Sequence, residues 1–162
     1  ETWKTNLIGT INILESIKDL KKETVVIIIT SDKVYDNKEW VWGYKESDQL
    51  GGADPYSASK ACAEIIIQSY IQSFHKTNRI FIAVGRAGNV IGGGDWSANR
   101  LIPDGIRYLL KGKSIYLRNP NFNRPWQHVL EPLRGYLILA KKQFINPKKF
   151  SDAWNFEQKI IQ

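Results

Sequence analysis

The chain has 162 residues, 43% hydrophobic and 24% charged, with one Cys and no Met, which excludes a disordered chain and allows one sizeable core. Lys and Arg outnumber Asp and Glu by 23 to 16, a net +7. The cations fall in scattered pairs, Lys21-Lys22, Lys141-Lys142 and Lys148-Lys149, like solvated helix ends, so no nucleic-acid partner is expected. One Cys excludes an intramolecular disulfide and a multi-Cys zinc site and suits a reducing, cytoplasmic setting. No run of spanning length and no signal-peptide pattern occurs, so no membrane partner is expected. The lack of an initiator Met points to a piece of a longer chain.

Thr5 to Leu20 carries Leu7, Ile8, Ile11, Leu14, Ile17 and Leu20, a spacing of three and four that predicts an amphipathic helix. Val25-Val26-Ile27-Ile28-Ile29 is an unbroken β-branched run, which predicts a strand buried on both faces of a helix-covered parallel sheet. It ends in Thr30-Ser31-Asp32-Lys33, at the carboxyl end of a strand, where open α/β sheets bind ligands. Residues 36–54, rich in Gly, Asp, Asn and Trp, predict a loop. Asp54-Pro55 reads as an N-cap followed by Pro at the first helical position, opening a helix to about His75.

A second buried strand is expected over Ile80 to Val84, followed by Gly85-Arg86-Ala87-Gly88-Asn89. Helix, strand, loop, helix and strand in this order make a right-handed crossover of a doubly wound α/β sheet. Beyond Gly92 the pattern predicts a helix at about Pro103 to Lys111, a short strand near Ile115 and a helix at about Glu131 to Lys142.

Three clusters carry candidate chemistry: Ser31-Asp32-Lys33, Tyr56 with Lys60, and Asn89. Tyr56 and Lys60 stand four apart at a helix start, so both project from one face. A Lys ammonium beside a phenol favours the phenolate, which makes the Tyr a general base. Taken singly, Tyr56 and Lys60 also fit a surface Tyr and a solvated Lys, Asp32 an Asx-turn and Lys33 an exposed turn residue. Gly92-Gly93-Gly94 fits either an anion-binding turn or a flexible one. His75 and His128 lack metal-ligand spacing, Cys62 sits among Ala as a packing residue, and no metal is expected.

Together, several blocks resemble the extended short-chain dehydrogenase/reductases that modify nucleotide sugars. They are Thr30-Ser31-Asp32-Lys33-Val34-Tyr35-Asp36-Asn37, Pro55-Tyr56-Ser57-Ala58-Ser59-Lys60, Gly85 to Trp96, Arg100-Leu101-Ile102-Pro103 and Arg124 to Leu133. The local match is closest to the 4,6-dehydratases of cytidine diphosphate glucose. The resemblance implies NAD as cofactor, CDP-glucose as substrate, and oxidation at C4, loss of water across C5 and C6, and return of the hydride to C6.

It further implies Tyr56 as base on the C4 hydroxyl, Lys60 as its pKa-lowering partner and ribose ligand, and Ser31 at O4. Asp32 becomes the acid for the C6 hydroxyl, which burial against the sugar would keep protonated. Lys33 replaces the Glu of many relatives and acts at C5, either as the base or as a cation that holds the enolate. Ala87 joins Tyr56 and Lys60 against the cofactor. Asn89, Arg100, Leu101, Arg118 and Arg124 fall to the sugar diphosphate, which guanidinium forks clamp well.

The resemblance implies a homodimer or higher homo-oligomer through the helices at Thr5–Leu20 and Pro55–His75. It places the carboxyl half of a Rossmann-type dinucleotide-binding domain at 1–91, and substrate segments with remaining Rossmann elements at 92–162. The Gly-rich dinucleotide turn of that fold does not occur in the sequence. Two other readings stay open: a nucleotide-sugar 4-epimerase, which needs no acid at C6, and a non-catalytic association module.

Overall fold

The computed structural model describes residues 1–74, 79–121 and 124–157. One π-wound turn, Lys4–Ile8, leads into α1 (Gly9–Ile17). This helix stops a turn short of the predicted Leu20, whose N–H closes on the Ile17 carbonyl at 3.1 Å. Then follow β1 (Thr24–Ile29), α2 (Pro55–Ser73), β2 (Ile80–Ala87) and β3 (Asn89–Ile91). The remainder is α3 (Leu101–Leu110), β4 (Trp126–His128), α4 (Leu130–Ile145), α5 (Pro147–Phe150) and β5 (Ala153–Phe156).

β1, β2 and β5 form a parallel sheet with β2 in the centre. β1 and β2 are joined through α2, the expected α/β crossover. β3 and β4 make a separate parallel pair, Asn89 opposite Trp126 and Ile91 opposite His128. On one face of the sheet, Leu14 of α1 and Ile67 of α2 pack on Ile80, Ile82, Val84 and Ala153, with Val26 and Ile28 beside them. Each fully buried Leu or Ile there contributes roughly 1.5–3 kcal/mol. On the other face Gly85 makes room for α4, because a Cβ there would stand 2.8 Å from the Tyr136 ring.

Three expectations are corrected. β1 is half-buried, with Ile29 exposed, and is not sealed on both faces. Among the described residues it pairs with β2 alone, which leaves its other edge uncovered by these residues. No strand forms near Ile115. That side chain lies instead along α3, where Gly105 leaves space 3.4 Å from the Ile115 Cδ1. α3 begins at Leu101, ahead of Pro103, since a Pro in the first turn forfeits no intrahelical bond. The predicted end of α2 at His75 lies outside the described residues. Among the described residues no helix is long and apolar enough to cross a membrane.

Candidate active site

The carboxyl end of β1 turns at once into a 3-10 turn, Asp32–Val34. The Ser31 hydroxyl oxygen accepts the Lys33 N–H at 3.3 Å, and the hydroxyl donates to Asp32 Oδ1 at 2.9 Å. Val34 and Tyr35 are buried, so they anchor the turn while Asp32 and Lys33 remain accessible. Lys33 Nζ stands 5.8 Å from the centre of the Tyr56 ring.

Tyr56 is placed by the start of α2. Asp54 Oδ1 accepts the N–H groups of Tyr56 and Ser57 at 2.9 and 3.1 Å, and the Ser57 hydroxyl donates to Oδ2. The Ser57 hydroxyl bond, then its N–H bond, holds the Asp54 carboxyl below its ordinary value. Gly52 packs directly beneath, since a Cβ there would lie 2.3 Å from the Ala58 nitrogen. Tyr56 itself is 41% exposed. Lys60, one turn on, donates from Nζ to the Ile29 carbonyl at 3.2 Å. Burial pulls the Lys60 ammonium below its ordinary value, and the Glu64 charge opposes that shift.

These strand and helix ends open on a cleft of about 980 Å³. The cleft gathers Ser31, Asp32, Lys33, Tyr56, Asn89, Arg100, Leu101, Arg118 and Arg124. Two expected cofactor residues do not line it: Lys60 is half-buried against β1, and Ala87 is buried at the end of β2. Arg100 is engaged by Asp95, Nη1 to Oδ2 at 2.9 Å. Gly92, Gly93 and Gly94 also line the wall, with Gly94 in the left-handed region at φ +82°. Trp96 and Trp126 complete the rim.

Behind the cleft lies a buried polar cluster that the sequence reading passed over. Glu64 accepts from the Thr30 hydroxyl at 2.5 Å and from Arg86 Nε at 2.9 and 3.0 Å, and Arg86 Nη2 closes the fork. Arg86 Nη1 donates to the Tyr35 hydroxyl at 2.7 Å and to the Glu46 carbonyl at 3.0 Å. The Tyr35 hydroxyl donates in turn to Asn155 Oδ1 at 2.7 Å. The available signal was a lone carboxylate four residues past Lys60 in an otherwise apolar stretch, Ala61-Cys62-Ala63-Glu64-Ile65-Ile66-Ile67.

Among the described residues no group of three His, Cys, Asp or Glu side chains could hold a metal ion. His128 Nδ1 accepts the Leu130 N–H at 3.3 Å, as a helix-start contact. Cys62 is a half-buried free thiol, and His75 lies outside the described residues.

The chain is 48% identical over 161 residues to the CDP-glucose 4,6-dehydratase of Salmonella typhimurium, covering 96% of this chain and 45% of the relative. It is 24% identical over 162 residues to the UDP-glucose 4-epimerase of Mycoplasma pneumoniae, covering 93% of this chain and 48% of that enzyme. Its backbone matches the crystal structure of dTDP-glucose 4,6-dehydratase from Bacillus anthracis in complex with NAD, with a TM-score of 0.80 and 25% identity. That match covers 96% of this chain and 47% of the solved one. The chain thus spans about half the length of these relatives. Residues 1–151 match the NAD dependent epimerase/dehydratase family, and the chain belongs to that family.

Proposed function

We propose that this chain supplies the catalytic segment of an NAD-dependent nucleotide-sugar 4,6-dehydratase acting on CDP-glucose. The observation that carries the reading is the convergence of Ser31, Asp32, Lys33 and Tyr56 on one cleft that Arg100, Arg118 and Arg124 also line. The likeness to the Salmonella CDP-glucose enzyme over 96% of the chain supports the choice of nucleotide.

The residues present fit the nicotinamide-ribose end of NAD. Lys60 Nζ spends one of its three donors on the Ile29 carbonyl, which leaves donors for ribose hydroxyls. Tyr56 lines the cleft beside it, while Ala87, buried at the end of β2, stays behind the wall. When bound, NAD supplies a reversible hydride acceptor.

Tyr56, aimed into the cleft, takes the proton from the C4 hydroxyl as general base. Ser31 hydrogen-bonds O4, and its hydroxyl is already oriented by Asp32 and the Lys33 N–H. Once C4 is a ketone, the C5 proton is acidified, and Asp32 donates a proton to the departing C6 hydroxyl. Lys33 serves the same elimination at C5. Lys33→Arg keeps the cation and removes the base, so it separates a proton acceptor from a cation that holds the enolate. Asn89 and Leu101 bound the sugar, and the three Arg side chains take the diphosphate oxygens.

In this reading residues 1–91 belong to the cofactor-binding half, and 92–162 carry substrate-binding segments with remaining Rossmann elements such as α4 and β5, in a cytoplasmic homo-oligomer. Exposed Ile8 and Ile13 near the N-terminus, with Ile65 and Phe74 along and just past α2, support self-association through this helix pair.

The test is incubation of the full-length gene product and NAD with CDP-, dTDP-, UDP- and GDP-hexoses, following the 4-keto-6-deoxy product. Turnover of CDP-glucose supports the reading. Turnover of another nucleotide sugar alone, or C4 epimerisation without loss of water, overturns it.

A further inference from the structure

Glu64 and Arg86 are 1% and 4% exposed, and neither reaches the cleft. A buried ion pair returns about what its desolvation costs, so stability alone does not account for it. Its placement is more telling. Tyr56, Lys60 and Glu64 follow one another at intervals of four on one face of α2. Ile29 and Thr30 follow one another at the end of β1, and the Ile29 carbonyl receives Lys60 while the Thr30 hydroxyl donates to Glu64. Successive residues of the strand end are therefore tied to successive turns of the helix, and the next residue is Ser31.

Arg86 extends the tie to the strand beside it. From the end of β2 it grips both Glu64 oxygens, and through Nη1 it holds Tyr35, the residue that closes the 3-10 turn carrying Asp32 and Lys33. The same carboxylate faces Lys60 and opposes the effect of burial on its ammonium. Around this point β1 contributes the Ile29 carbonyl and Thr30, β2 contributes Arg86, the segment after β1 contributes Tyr35 and Glu46, and α2 itself contributes Tyr56 and Lys60.

We infer that Glu64 and Arg86 are the positioning residues of this site: the pair fixes α2 against the ends of β1 and β2, so that Tyr56 and Lys60 meet Ser31 and Asp32 at a set spacing. This rests on the dehydratase reading for the identity of the reactive groups. A misplacement of about 1 Å costs roughly a hundredfold in rate even when the reactive groups are intact.

The experiment uses the full-length gene product with NAD, as Glu64→Gln and as the apolar pair Glu64→Met with Arg86→Met, which leaves no unpaired charge to unfold the core. Two readouts are taken: kcat and KM for the nucleotide sugar, and the titration of Lys60 by NMR of the methylated amine, assigned with Lys60→Arg. Both variants are expected to lose about a hundredfold in kcat with KM changed by no more than about threefold, and in Glu64→Gln Lys60 is expected to titrate at lower pH. A folded variant with kcat within about threefold of the parent and an unmoved Lys60 titration overturns the proposal. If the unaltered protein turns over no nucleotide sugar, the dehydratase reading falls. A crystal structure of folded Glu64→Gln then still decides the positioning role: a shift of Tyr56 and Lys60 relative to Ser31 supports it, and an unmoved site overturns it.

Discussion

Lys60 Nζ donates to the Ile29 carbonyl oxygen across 3.2 Å, which moors the ammonium to the strand that delivers Ser31. Lys60→Met removes both the charge and the mooring while keeping most of the buried stem. The expected result is a loss of C4 oxidation on the order of a hundredfold or more, with the protein still folded. Stopped-flow detection of reduced cofactor absorbance checks it, with circular dichroism as the folding control.

Tyr56 and Asp32 act at different steps in the proposed reaction, so their variants separate. Tyr56→Phe removes the base and is expected to lower C4 oxidation by roughly 10²–10⁴. Asp32→Asn keeps the shape but cannot donate the proton, so elimination slows more than oxidation. Exchange of the C5 hydrogen with deuterated solvent, compared with formation of the 4-keto product, measures the split.

Arg118 and Arg124 line the same cleft as Tyr56, and the diphosphate lies against them in this reading. Charge-assisted bonds of this kind contribute about 1.5–3 kcal/mol each. Arg118→Ala or Arg124→Ala is therefore expected to raise KM by roughly ten- to a hundredfold with kcat nearly kept. Steady-state kinetics against free nucleoside diphosphate as inhibitor provides the check.

The α2 start offers a test that needs no substrate. Asp54→Ala removes the cap on Tyr56 and Ser57 and is expected to cost about 1 kcal/mol. The folded Asp54 carboxyl is held below its ordinary 3.8, so its contribution is present above that pH and fades as pH falls below it. Urea melts at pH 7 and pH 3 are expected to differ less in Asp54→Ala than in the parent. Gly52→Ala places a Cβ against backbone atoms of Ser57 and Ala58, and overpacking of this kind costs about 1–3 kcal/mol.

The elements that sequence made legible are those whose causes are local. Asp54-Pro55 carries its own capping chemistry, and the Val25–Ile29 run carries its own β preference. β5 was not legible, because Ala153-Trp154-Asn155-Phe156 becomes a strand only by lying beside Val84–Ala87. β3 and β4 are three residues each and pair across an intervening helix, so neither half signals the other. Near Ile115 the outcome ran the other way: a short strand is expected, while the space above Gly105 gives the Ile115 side chain a helix to pack on.

In the site, Tyr56 and Lys60 could be seen together because one helix turn joins them. Asn89 and Arg124 lie 35 positions apart along the chain, and only the blocks that resemble a family suggested a shared destination. The Glu64–Arg86 pair stayed hidden because its members stand on different elements, 22 residues apart, and each alone reads as an ordinary charge.

The bond from Tyr35 to Asn155 bridges 120 positions, and it sets an order of events during synthesis. Early residues can shape β1, α2 and β2 among themselves, since those contacts are comparatively near in sequence. The wall that steadies Tyr35, and through it Arg86, waits until β5 emerges and docks on the free side of β2. Until then the reactive side chains sit on a half-supported ledge. A nascent chain stalled before Ala153 would be expected to carry Ser31 and Tyr56 without the geometry that makes them useful.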